Sequence, residues 1–76
     1  MSKRRKVFSG VFVISILVKH FHLVVISQRG SHVKLRRPDG RTTIVPLHKE
    51  LAPGTLSSVL NLAGVDRKKF LNSLGK

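Results

Sequence analysis

Between Leu23 and Val45 the chain carries three short strand-like runs separated by two turn signals. That spacing constrains the fold more than any other feature. His32-Val33-Lys34-Leu35-Arg36 alternates polar and apolar residues, the period-two pattern of a half-buried strand. Val33 and Leu35 then share one face, and His32, Lys34 and Arg36 share the other. Pro38-Asp39-Gly40-Arg41 is a strong turn signal, and it joins this strand to Thr42-Thr43-Ile44-Val45 as a hairpin. Pro46 closes the third strand. Upstream, Leu23 to Ser27 is rich in Val and Ile and reads as a strand, with Gln28-Arg29-Gly30-Ser31 as the turn that follows it.

A sheet this small must be covered on one face. Downstream of a loop over Leu47–Leu51, Pro53-Gly54-Thr55 opens a helix with Thr55 as its cap. Leu56, Val59, Leu60 and Ala63 follow at i, i+3, i+4 and i+7, an amphipathic stripe. Gly64 suits a left-handed stop. Asp66 then caps a last short helix containing Phe70, Leu71 and Leu74. Near the N-terminus, Ser9 can cap a helix from Gly10 to Lys19. Val11, Phe12, Val13, Ile14, Ile16 and Val18 favour a strand instead, and composition leaves that run open between the two. Taken as a helix, it gives the order α-β-β-β-α. This is an α+β fold, a three-stranded antiparallel sheet with helices packed on one face. The 76 residues support one domain over 1–76.

Fifteen Lys and Arg against three Asp and Glu leave a net charge of +12, which points to a polyanionic partner. Apolar residues make up 41% of the chain, enough for a folded core. The absence of cysteine excludes disulfides and Cys-based zinc sites. Four histidines and three scattered acids show no metal-ligand spacing, so no metal or other cofactor is expected. Met1–Lys6 reads as a mobile basic arm. With Val11–Val18 it resembles the charged and apolar regions of a signal peptide, but Lys19-His20-Phe21-His22 follows where a small-residue cleavage site would stand. The apolar run is also too short to span a bilayer as a helix. A cytoplasmic protein with no membrane partner is expected.

Within this basic chain, Gly30-Ser31-His32 is the segment best suited to chemistry. Histidine moves a proton near neutral pH. Glycine lets the backbone approach a phosphate closely, and the N–H groups of Gly30 and Ser31 can bind its oxygens. Arg29, Lys34 and Arg36 supply sequence-independent phosphate contacts. Together they point to chemistry on a phosphodiester backbone, with RNA as the substrate. An isolated Gly-Ser-His is ordinarily a turn and a solvated histidine, so the motif alone does not decide the matter. His48 reads as a structural loop residue, with a second proton carrier or phosphate ligand as the alternative, and His20 and His22 are given no role.

These residues stand in a wider pattern. Ser9-Gly10 with Ile14, Ile16 and Leu17, then Gln28-Arg29-Gly30-Ser31-His32, Arg37-Pro38-Asp39-Gly40-Arg41, Val45-Pro46-Leu47-His48, Gly54-Thr55-Leu56 and Ala63-Gly64-Val65 with Phe70 recur in order. In this the chain resembles the HicA-type toxins, small mRNA interferases of toxin–antitoxin systems. The resemblance implies a double-stranded-RNA-binding-like fold, mRNA cleavage without a metal, His32 as the catalytic histidine, and restraint by a HicB-type antitoxin. RNA cleavage needs a base for the 2′-hydroxyl and an acid for the leaving 5′-oxygen. An imidazole, with a free pKa of about 6.5, can serve as either. The chain departs from the family in three places. Val11, Phe12, Ser15 and Val18 stand at usually polar helix positions, Phe21–Gly30 is one or two residues longer, and Lys68-Lys69 replace acids. The alternative is a non-catalytic RNA-binding domain of the same fold, separated from the first reading by the position of His32. A cationic membrane-active peptide is a remote third, opposed by the order of turns and caps.

Overall fold

Helix α1, Gly10–Phe21, begins at Ser9, whose Oγ accepts the Phe12 N–H at 3.0 Å. The computed structural model describes residues 7–75. The basic arm read over Met1–Lys6 lies outside the described residues. The β-branched run is therefore helical, and it extends two residues past Lys19. Packing decides this: Val13, Ile16 and Leu17 fall at helical spacing and are buried against the sheet, and such burial outweighs local propensity. The helix ends in a left-handed residue, His22 with φ 64°, and the Leu23 N–H returns to the Leu17 carbonyl at 3.2 Å. At its start, the Gly10 N–H donates to the His48 carbonyl at 2.9 Å, and a Cβ on Gly10 would run into the Pro46 carbonyl oxygen. Glycine is required there by close approach.

Strands β1 (Val24–Arg29), β2 (His32–Arg36) and β3 (Thr42–Pro46) form one antiparallel sheet in the order β1-β2-β3. β1 starts one residue after Leu23 and continues through Arg29, so the turn is only Gly30-Ser31 and not the four residues Gln28–Ser31. Gly30 has φ 54° and Ser31 is not left-handed, the pattern of a type II′ turn. In β1 the register slips between Val25 and Ser27, leaving Ile26 without a partner on β2. In the second hairpin Asp39 Oδ1 accepts the Arg41 N–H at 3.0 Å.

Helix α2 runs Pro53–Ala63. Thr55 is not its cap: Ala52 holds that position without a side-chain bond, and Pro53 occupies the first turn. Proline lacks the N–H that a cap would satisfy, so the helix starts earlier than Thr55 implies. Gly64 closes it with φ 68°. Helix α3, Arg67–Ser73, is capped by Asp66, whose Oδ2 accepts the Lys69 N–H at 3.3 Å; Leu74 falls just beyond it. All the helices contribute to one core with Val33, Leu35 and Val45 of the sheet, and Phe70 is fully buried in it. The buried Thr43 hydroxyl ties sheet to helix by donating to the Val59 carbonyl at 2.9 Å. Among the described residues, nothing covers the opposite sheet face.

Phe12, which the sequence placed on an unexplained apolar helix face, stacks on Phe8 at 5.7 Å, and Phe8 meets Phe70 edge-on at 5.7 Å. Its exposed ring closes an aromatic row over α3, while Val11 and Val18 remain exposed without such a neighbour in that row. Among the described residues, no helix is long and apolar enough to cross a membrane.

Candidate nucleic-acid interface

The open sheet face is a small grid fixed by the ladder. Cross-strand partners share a face, so Arg29, His32 and Pro46 align in one row. Ser27, Lys34 and Ile44 make the next row, and Val24, Arg36 and Thr42 the third. His32, Lys34 and Arg36 are exposed while Val33 and Leu35 are buried, as the period-two pattern requires. Ser27, Arg29, His32, Lys34 and Ile44 together line a shallow depression of about 420 Å³. Arg29 and Lys34 thus bring cationic groups beside the imidazole. Among the described residues, no side-chain hydrogen bond ties up the His32 ring.

The remaining candidates lie around this hollow. Gly30 and Ser31 form the turn beyond the Arg29–His32 pair, outside the lining, and the Ser31 carbonyl accepts the Leu47 N–H at 2.7 Å. Gln28 Nε2 donates to the Gly30 carbonyl at 3.0 Å and braces the same turn. Arg36 shares the face but lines an adjoining hollow with His22, Val24 and the Arg37–Gly40 turn. His48 is exposed in its loop and is not part of the lining; its carbonyl holds the start of α1. Sequence reasoning missed Ser27 and Ile44. Ile44 was legible, because it alternates with buried Thr43 and Val45. Ser27 was not, because only the bulge sets it opposite Lys34.

No acid lines the hollow around His32. Of the chain's three acids, Asp39 sits between Arg37 and Arg41 at 3.8 Å from each, Asp66 caps α3, and Glu50 is exposed in the loop after β3. None lies on the grid. Among the described residues, no cluster of His and acids could hold a metal ion.

A family model described as the HicA toxin of bacterial toxin–antitoxin systems matches residues 13–65 of the chain. The chain belongs to the HicA toxin family. The matched span covers most of α1, the whole sheet and α2, and therefore every residue lining the depression. The observed helix–sheet–helix order is consistent with the double-stranded-RNA-binding-like fold of the HicA toxins. Membership makes the chain a toxin of a toxin–antitoxin pair, a class generally made of mRNA-cleaving ribonucleases held by a cognate antitoxin. Among curated proteins, none matches the chain.

Proposed function

We propose that this HicA-family toxin is an endoribonuclease that cleaves mRNA on the open sheet face, with His32 as the catalytic histidine and without a metal. The observation that carries the reading is the hollow in which one unencumbered imidazole shares a row with Arg29 and adjoins Lys34 in the next. Phosphate oxygens bind the two cations, and the backbone N–H groups at Gly30 and Ser31 add donors at the row's end. Arg36 extends the cationic track along β2. His32 takes the proton from the 2′-hydroxyl, the 2′-oxygen attacks phosphorus, and the P–O5′ bond breaks as the imidazolium so formed returns the proton to the leaving 5′-oxygen. The products are a 2′,3′-cyclic phosphate and a free 5′-hydroxyl. A positioned proton-transfer group is worth typically about 10²- to 10⁴-fold in such a step.

An endoribonuclease of this kind is silenced by a HicB-type antitoxin that is acidic where it docks, since opposite potentials speed association and favour the pairing. Cytoplasmic residence follows from an mRNA substrate. Incubating the purified protein with RNA in excess EDTA tests the reading. Cleavage that persists, leaves cyclic phosphate ends and stops on a 2′-deoxy substitution at the cut supports it. Cleavage abolished by EDTA and restored by added metal refutes it. Binding without cleavage would favour the non-catalytic RNA-binding alternative.

A further inference from the structure

The face that holds His32 ends at an open edge. In the order β1-β2-β3, β3 has α1 and α2 packed against it, and its last residue is the buried Pro46. Among the described residues, β1 pairs with β2 on one side only, and all six of its residues are exposed. Val24, Val25 and Ile26 are 56%, 51% and 43% exposed, three consecutive apolar side chains on a strand edge. Natural edges are usually defended by charge, proline or cover. Here the defence is the bulge at Ile26 and the single charge of Arg29.

We propose that β1 is a docking edge for an extended acidic segment of a partner protein, which adds to the sheet as a fourth strand. Main-chain hydrogen bonds to the free side of β1 supply the attachment; the apolar side chains of the added strand meet Val25, whose cross-strand partner is the buried Leu35, and its carboxylates lie on the other face with Arg29. The acidic character follows from the surroundings: Arg29 lies on β1 itself, Lys34 and Arg36 lie one strand in, neither strand carries an acid, and Asp39, which borders the Val24–Arg36 end, is flanked by Arg37 and Arg41. A second copy of this chain would bring its own charge of +12 to the same edge and is disfavoured. RNA is disfavoured because three apolar residues offer a phosphate backbone nothing. An added strand would lie beside Arg29 and Ser27, so its carboxylates would occupy the hollow that RNA needs. This deepens the reading of a restrained toxin, and rests on that reading for its regulatory meaning alone; the docking itself does not depend on RNA cleavage.

The test uses the whole protein and a blocked synthetic peptide of alternating valine and glutamate. Amide hydrogen exchange should show new protection at those β1 N–H groups that point away from β2, in the wild type and equally in His32→Ala. Ile26→Pro should weaken binding about tenfold or more. Ile26 has no cross-strand partner on β2, so proline there spares the paired residues of β1 while removing one main-chain donor from the edge; thermal melting of the variant checks that the fold is kept. If that variant fails to fold, Ile26→Glu, which repels an acidic strand from an exposed position, should weaken binding likewise. A scrambled peptide of equal charge that binds as well, or protection confined to Lys34 and Arg36, would overturn strand addition. So would concentration-dependent protection of β1 without peptide, which would assign the edge to a second copy. Protection of the same amides by a single-stranded RNA would assign it to nucleic acid. If the peptide results hold and no RNA is cut, the catalytic reading fails and the docking edge stands.

Discussion

Two adjacent arginines should separate cleanly into a stability role and a binding role. Arg36 is exposed on the open face of β2. Arg37, one residue on, turns to the other side of the molecule. Its Nη1 donates to the carbonyl oxygens of Ala63 at 3.0 Å and Gly64 at 2.6 Å, at the C-terminal end of α2. Those carbonyls have no partner within the helix, and a cation there also opposes the negative end of the helix dipole. The Arg37 side chain is only 29% exposed, so solvent screens these bonds little. Losing two bonds from a charged donor, with the acceptors partly repaid by water, costs about 2–3 kcal/mol. A domain of this size has about 4–11 kcal/mol in total, so Arg37→Ala removes a large share of it. The melting temperature should fall by about 10–20 °C. Arg36→Ala should change stability by about 0.5 kcal/mol or less. It should weaken RNA binding alike for all sequences. Thermal denaturation and RNA titration over a salt series on both variants are the assay. An Arg36→Ala variant that melts early, or an Arg37→Ala variant of unchanged stability, would refute the division.

The other expectations concern helix ends and charge. His22→Gly relieves a left-handed residue and should stabilise the fold by about 0.5–1 kcal/mol in urea unfolding. Gly10→Ala should destabilise by about 2 kcal/mol despite alanine's helix propensity, because the methyl group meets the Pro46 carbonyl; equal or greater stability would show that α1 can shift away. RNA affinity should fall steeply with salt, with a log–log slope of about −0.7 per phosphate neutralised. Charge reversal at Arg29 or Lys34 should flatten that slope, and a salt-independent affinity would remove the electrostatic account.

The sheet and its polar face were legible because alternation and turn residues are local properties. His32, Lys34 and Arg36 point out because Val33 and Leu35 cannot. The state of α1 was not legible, since a run apolar on all sides carries no period; burial of Val13, Ile16 and Leu17 under the sheet decided it. Thr55 misled because threonine is a good cap, while the proline two residues earlier makes a helix start that needs none. Ser27 and the Arg37 anchor were invisible for a different reason. One depends on where a bulge falls in the ladder, and the other on a contact between residues far apart in the chain.

Whether His32 performs the chemistry is most directly measured by the single-turnover cleavage rate of His32→Ala against wild type, in EDTA, with both proteins saturating the RNA. His32 is exposed and outside the core, so the variant should melt with the wild type and bind RNA with similar affinity. Its cleavage rate should fall by about 100-fold or more. A variant that folds, binds and still cuts at the wild-type rate would contradict the account.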